Sequence, residues 1–461
     1  MSGERESGGT SAGAQSVKRL FGAAVKPFQA FFELEASSGI LLLACAVAAL
    51  AWVNLIDPPS YHRLLEFQLQ LGAGTATTHF SLHALVNDGL MAVFFFLVGM
   101  EIKRELAVGE LSTLGQALLP AVAAVGGMIL PAGIFLLVNW GGPGQHGWGI
   151  PMATDIAFCV GALALLRSRV PRALVVFVTA LAIFDDIGGI LVIALFYGHG
   201  LHWPWLAAAA ALTLGLVGMS RAYVRSAVAW SVMGLALWFA LGQGGIHATI
   251  AGVVLGLTIP SRPRARPREV LAQLAEHVAS LCRGAPDEEL ERDAVLQVGE
   301  RLDALEPPLD RFEEALHPWV AFGVMPLFAL ANAGVELRGM DASHVLGPVA
   351  VGVAMALVVG KLVGIFGFTF LTVKTGLSPM PGRASAGKLA GVSAVAGIGF
   401  TVALFIAGLA FPGAPDLLDE AKLGIIAGSL VAGIGGAALL LATPRLGPKP
   451  DPSRGAQQDA A

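Results

Sequence analysis

Apolar stretches about as long as a bilayer is thick recur along most of this chain, and no other feature limits its fold so strongly. A hydrocarbon core about 30 Å deep takes ~20 helical residues to cross. Lipid satisfies no backbone N–H or C=O, so a chain with many such stretches spans as helices. We read about twelve spans, near 36–56, 83–108, 116–138, 149–167, 172–198, 203–220, 226–241, 244–260, 318–336, 347–373, 386–411 and 420–443. Several are short or interrupted by glycine and proline. Composition agrees: 55% of the residues are hydrophobic and 13% charged, where a soluble chain carries about a quarter charged residues. The net charge of -4 excludes a broadly basic nucleic-acid binder. Cys45, Cys159 and Cys282 share no pattern that suggests a disulfide framework or a metal cluster. The expectation is an all-α integral membrane protein.

The loops give domains and orientation. Residues 1–30 are polar and Gly/Ser-rich, and read as a disordered cytoplasmic segment. Behind so long a polar lead, the apolar run near 40–55 reads as a retained first span and not as a signal peptide. The transmembrane domain covers 31–443, with a large loop at 261–317, and 444–461 form a loose cytoplasmic tail. Arg167, Arg169, Arg172, Arg221, Arg225 and the arginines at 262–268 fall in loops on one side, and the loops at 139–149, 198–203 and 241–244 are nearly free of Lys and Arg. The positive-inside rule then puts both termini in the cytoplasm. Within the large loop, Val270, Leu271, Leu274, Val278 and Leu281 recur at helical spacing, which predicts an amphipathic helix. Loop 57–82 reads as a small hairpin.

Four ionisable residues sit deep in apolar sequence: Asp155, Asp185, Asp186 and Lys361. Each would cost about 2.5–3.5 kcal/mol at a lipid-facing helix centre, and the four on the order of 10 kcal/mol. They must face an interior or a wet cavity. At about 1.5 Å per residue, Asp155 and Asp185 both lie roughly 21–24 Å from the loop around Arg169, and Lys361 lies about 20 Å from its own loop. All converge on one layer near the membrane middle. The bland alternative is a salt bridge that only glues helices, and it weighs most for Lys361. The adjacent pair Asp185–Asp186 points about 100° apart on a helix, so one carboxylate can face an ion path and the other a neighbour. Like charges in a poorly solvated cavity cannot both ionise without a cation nearby. A proton or a metal ion can supply that charge, and hard oxygen ligands suit sodium or lithium. That competition is the chemistry of a cation/proton exchanger.

Two spans are broken at this depth, by Pro151-Met-Ala-Thr-Asp155 and by Gly397-Ile-Gly399. Half-helices meeting there point dipole ends at one another, with Asp155 placed to compensate positive ends and Lys361 negative ones. Each break falls in the middle helix of a group of three, spans three to five and ten to twelve, which points to an inverted repeat with the ion site between the halves. Glu101, Lys103, Arg104 and Glu105 end span two; a solvated helix end and a functional cluster are equally open there. His247 and His317 are isolated, and a regulatory role is open for both because histidine titrates near neutrality.

With these features in place, the chain resembles the NhaA family of sodium/proton antiporters. The resemblance rests on Asn87-Asp88-Gly89, Val98-Gly-Met-Glu-Ile-Lys-Arg-Glu105, Ala153-Thr-Asp-Ile-Ala-Phe158, Ala182-Ile-Phe-Asp-Asp-Ile-Gly188, Gly245-Ile-His-Ala-Thr249, His317-Pro-Trp319, Ala331-Asn-Ala-Gly334, Gly360-Lys361 and Gly397-Ile-Gly-Phe-Thr401, in order along the chain. It implies twelve helices, two discontinuous crossing helices, electrogenic exchange of sodium or lithium for protons, and a homodimer in the lipid of a bacterial inner membrane. It implies no enzyme activity and no cofactor. Residue by residue, it makes Asp186 the chief cation ligand and Asp185 its partner, able to pair with Lys361, with Thr154 and Asp155 beside the site. Glu101, Arg104, Glu105, Arg311, Glu313 and His317 fall on positions linked to pH response, and His247 joins them as a titratable candidate. Two departures stand out: the loop before span nine is long, and Asp310 and Glu314 occupy places usually basic or histidine.

Two other classes compete. An intramembrane aspartyl protease needs two buried aspartates, but on two helices and one in a Gly-x-Gly-Asp context; here the Gly-Ile-Gly run continues with Phe400. A passive channel calls for pore elements arranged in a ring.

Overall fold

The computed structural model describes residues 37–73, 76–109, 111–198, 200–263, 272, 307–338 and 346–445. The expected disordered lead, all but one residue of the amphipathic helix at 268–282 and nearly all of the C-terminal tail lie outside them.

Among the described residues nine helices are long and apolar enough to cross a bilayer, and two bent pairs raise the number to eleven. The first is α1 (Ser37–Ile56). A short helix α2 (Pro58–Leu65) follows, opened by prolines in its first turn, where a missing N–H costs nothing. The hairpin expected in loop 57–82 is present as antiparallel β1 (Gln68–Ala73) and β2 (Ala76–Ser81), in the register Gln68↔Ser81 to Ala73↔Ala76. Then come α3 (Leu82–Ala107) and α4 (Leu114–Val138). The first bent pair is a 3-10 segment, Pro143–Met152, and helix α5 (Ile156–Leu165), set at 47° to each other. Beyond it lie α6 (Arg172–Phe196), α7 (Trp203–Arg221) and α8 (Ala227–Gly244). Short α9 (Ile250–Thr258) precedes α10 (Pro308–Asn332) and α11 (Pro348–Lys374). The second bent pair is α12 (Ala386–Val395) and α13 (Phe400–Ala410), also at 47°, and α14 (Pro415–Ala442) is last.

The expected span at 244–260 is the one the structure does not supply at full length. Its nine-residue helix α9 is only about 14 Å long. Glycines explain how so short a segment stays buried: a Cβ on Gly252 would lie 2.1 Å from Ala92 O, and one on Gly256 2.6 Å from Phe96 O. The backbones of α9 and α3 therefore touch, as small residues allow in membranes. The same device joins α4 to α11, where a Cβ on Gly364 would meet Gly126 O at 2.2 Å. That contact fixes the helix bearing Lys361.

Among the described residues four π-helical turns fall within or at the end of the long helices, at Trp52–Ile56, Leu85–Leu90, Val320–Val324 and Ala356–Gly360. Such turns free a carbonyl for another partner; in α3, Trp238 Nε1 donates to Asp88 O at 3.0 Å. On α2, Tyr61 directs its hydroxyl at Leu330 O and Ala331 O, 2.8 and 2.9 Å away. Burial pushes the Tyr61 phenol up to about 12, so it stays a neutral donor at alkaline pH.

Candidate functional site

The two helix breaks bond to one another. At the first, Ala153 and Asp155 take extended backbone angles, which frees Asp155 N to donate to Ile398 O at 2.7 Å. Asp155 then caps two helices. Its Oδ1 accepts from Phe158 N at 3.2 Å, in the first turn of α5, and its Oδ2 accepts from Thr401 N at 3.0 Å and from the Thr401 hydroxyl, at the start of α13. A carboxylate between two positive helix ends is electrostatically favourable, and it explains how an ionisable group 1% exposed is tolerated.

The negative end of α12 is hydrogen-bonded by the first break. Its carbonyls, Ala396 O and Ile398 O, face the Thr154 hydroxyl and Asp155 N. Among the described residues the Lys361 ammonium makes no hydrogen bond to these carbonyls. Its Nζ lies 2.6 Å from Asp185 Oδ2 and 3.0 Å from Thr154 Oγ1, and both charged side chains are wholly buried. Thr154 completes a triangle, with its Oγ1 2.7 Å from Asp185 Oδ2 and 2.9 Å from Ala396 O. One hydroxyl has one proton to donate and two lone pairs, so Thr154 accepts from Lys361 while donating to one of these oxygens. Asp185 Oδ1 is buried with no hydrogen-bond partner.

The neighbouring Asp186 points elsewhere. It makes no hydrogen bond among the described residues, and it lines a cavity of about 80 Å³ together with Thr154, Asp155, Thr401, Glu101 and His317. A single water needs only ~10–15 Å³ of such space, so several waters or a partly hydrated alkali ion fit. The first helix closes one wall with Ser38 and Leu42. Among the described residues no group of three His, Cys, Asp or Glu converges as a resident metal cage would. Asp155 is occupied as a cap and Asp185 as a lysine partner, which leaves Asp186 as the aspartate of the three that faces open space.

Glu101 and His317 line the same cavity. Arg104 on α3 forms an ion pair with Glu313 on α10, tying together two helices that line the cavity. Glu313 is 7% exposed and its Oε2 is buried with no partner. Arg311 is exposed and makes no ion pair among the described residues. His247 lies apart from this group, its ring 5.7 Å from that of Phe405 and its Nδ1 3.2 Å from Thr249 Oγ1.

Thr401 is the functional candidate that reading the sequence left unassigned. Its signal was position, since it follows the Gly-Ile-Gly break where the first free N–H groups of a new helix must lie. Ser38 carries no comparable signal.

Comparison with known proteins adds two observations. Residues 29–440 match the family model described as Na+/H+ antiporter 1. A protein named Na(+)/H(+) antiporter NhaA from Anaeromyxobacter sp. (strain Fw109-5) is 64% identical over 427 residues, covering 93% of each chain. Na(+)/H(+) antiporter NhaA 1 of Myxococcus xanthus (strain DK1622) is 52% identical over 424 residues, covering 92% of this chain and 94% of its own. The NhaA of Oleidesulfovibrio alaskensis is 44% identical over 421 residues, with 90% and 93% covered.

Proposed function

This chain belongs to the Na+/H+ antiporter 1 family, and from that premise we propose that it exchanges sodium, or lithium, for protons across a bacterial inner membrane. One observation carries the reading: a cavity-facing carboxylate, Asp186, stands beside a carboxylate already neutralised by a buried lysine. Sodium entering past Glu101 and His317 meets Asp186 first. Its second oxygen ligand is Asp185, whose Oδ1 is unpartnered, with Thr154 adjacent. Drawing Asp185 onto the ion loosens Lys361, and two adjacent carboxylates then share one cation. Protons arriving from the other side restore the starting charges and expel the ion. Where Asp185–Lys361 and Asp186 both change proton content for each sodium, net charge moves, and exchange is electrogenic. Thr154 and Asp155 keep the crossing of the two broken spans in register through this cycle. No covalent chemistry and no cofactor enter it.

Under the same reading, Glu101, Arg104, Glu105, Arg311, Glu313 and His317 set the pH response, because the Arg104–Glu313 pair ties α3 to α10 at the mouth and nearby titratable groups change its strength. His247 acts from the opposite end. The fold is the twelve-crossing inverted repeat, with α9 and its lead-in from Gly244 as the remaining crossing. Residues 1–30, 261–317 and 444–461 are cytoplasmic, 31–443 form the transmembrane unit, and two chains pair as a homodimer within the lipid. The test is proton release from acidified everted vesicles on adding sodium, lithium and potassium in turn. Release with sodium or lithium supports the reading; silence to both from mildly acid to alkaline pH overturns it.

A further inference from the structure

Among the described residues, six oxygen-bearing side chains wall the cavity beside Asp186: Ser38, Glu101, Thr154, Asp155, Asp186 and Thr401. Three of them are committed to one another or to the crossing. Asp155 accepts from Phe158 N and from both the amide and the hydroxyl of Thr401. Thr154 holds Lys361 Nζ, Asp185 Oδ2 and Ala396 O. Of the rest, Asp186 and Glu101 are carboxylates, and Ser38 is the hydroxyl. Ser38 stands in the first turn of α1 and is 2% exposed. The residue after it fixes its place. A Cβ on Gly39 would lie 3.6 Å from Ala157 O, so the first turn of α1 rests on the first turn of α5, directly after Asp155. Leu42, one turn on and fully buried, lines the same wall. A serine hydroxyl has one proton and two lone pairs, so donating the proton to a protein acceptor still leaves a lone pair for a cation.

We propose that Ser38 is an oxygen ligand of the transported alkali ion, supplied by α1 to an ion held at Asp186. It rests on the exchange reading. The chemistry sets Ser38 apart from the carboxylates. In that exchange Asp185 and Asp186 bind a proton in place of sodium, so what they lend to the ion they also lend to its competitor. A hydroxyl takes up no proton at the pH a cell meets, and it is therefore a ligand for the ion alone. As a hard oxygen it suits sodium and lithium. Such a ligand raises sodium affinity by the same factor at every pH and leaves the number of displaced protons unchanged.

The experiment measures sodium/proton exchange in everted vesicles over a range of sodium concentrations at several pH values, and melting of the purified full chain over the same sodium range. Ser38→Ala should raise the KM for sodium about five- to tenfold, as the loss of one contact the size of a hydrogen bond does, and by the same factor at each pH. The rate at saturating sodium should stay within about twofold, because the binding lost is uniform. Ser38→Cys controls for shape. A thiol fills the same space and still donates, but it is too soft to serve an alkali ion, so its KM should rise as far. Should Ser38→Ala not reach the membrane folded, Ser38→Cys decides alone. A KM within about twofold of wild type in folded Ser38→Ala overturns the ligand. So does a wild-type KM for Ser38→Cys beside a raised one for Ser38→Ala, since filling space would then be the whole role. A KM ratio that changes with pH overturns it too, because Ser38 would then act through a titrating group. Melting reads sodium binding without transport and so separates the two readings. If the wild type exchanges sodium and both variants bind and exchange it equally well, Ser38 falls alone. If the wild type exchanges neither sodium nor lithium, yet sodium stabilises it and Ser38→Ala needs about five- to tenfold more, the exchange reading falls and the ligand stands. A wild type that sodium neither crosses nor stabilises removes both.

Discussion

Replacing Asp186 with asparagine keeps the size of the side chain and removes the charge for which sodium and protons compete in the proposed exchange. Transport should fall to background while the protein still folds and inserts, as ion flux and size-exclusion profile would show; wild-type exchange in Asp186→Asn would mean that the ion is held elsewhere. Lys361 poses the harder question of role against glue. Removing one partner of a buried pair typically costs about 3–5 kcal/mol, because the other charge is stranded. Lys361→Ala should therefore lower the melting temperature, and adding Asp185→Asn should recover much of the loss. A melting temperature equal to wild type for Lys361→Ala alone would show that the pair contributes nothing. These residues were legible because a charge in apolar sequence is conspicuous, and the helical rise put Asp185 and Lys361 at one depth; the structure has them 2.6 Å apart. Thr401 was legible only by its position after the Gly-Ile-Gly break; a hydroxyl costs little in a membrane helix, so nothing else in the sequence marks it.

At the scale of elements, proline and glycine announced the two breaks, and the hairpin followed from a polar loop between spans. Helix α2 was missed although Asp57-Pro58-Pro59 is a fair helix start, because a loop of that length reads first as irregular. The π-helical turns leave no sequence trace at all, being set by what packs beside them. One of them, Ala356–Gly360, ends directly before Lys361, and the break at Gly397 lies over it: a Cβ on Gly397 would come 2.4 Å from Leu357 O. The aim of Lys361 thus depends on how α4, α11 and the second break pack. Gly364→Ala tests this away from the charges. Its new methyl would meet backbone, which cannot rotate aside, so stability should fall by about 1–3 kcal/mol, read as a lower melting temperature. If it melts like wild type, α4 and α11 are not locked as described. Tyr61→Phe asks the same of the outer ends, where losing the bonds to Leu330 O and Ala331 O should cost about 1 kcal/mol.

For the whole molecule, the decisive quantity is how tightly sodium binding is tied to proton release. A ligand that binds only the folded state stabilises it by about 2.7 kcal/mol at a hundredfold excess over its dissociation constant. Sodium should therefore raise the melting temperature, and potassium should not. In the proposed exchange protons compete for the same carboxylates, which fixes the sign with pH: the sodium effect is full at alkaline pH and fades on acidification. Each proton displaced weakens apparent sodium affinity by up to about tenfold per pH unit on the acid side. If Asp186 alone exchanges a proton, the slope approaches one and the cycle moves no net charge. If the Asp185–Lys361 pair also changes its proton content, the slope approaches two, one positive charge crosses per cycle, and the cycle is electrogenic. Melting curves over a grid of sodium concentration and pH give that slope directly. Asp186→Asn should flatten the whole surface. The double variant Lys361→Ala with Asp185→Asn should keep a sodium response while lowering the slope towards one. A wild-type slope of one would make the exchanger electroneutral and reduce Lys361 to a structural partner of Asp185.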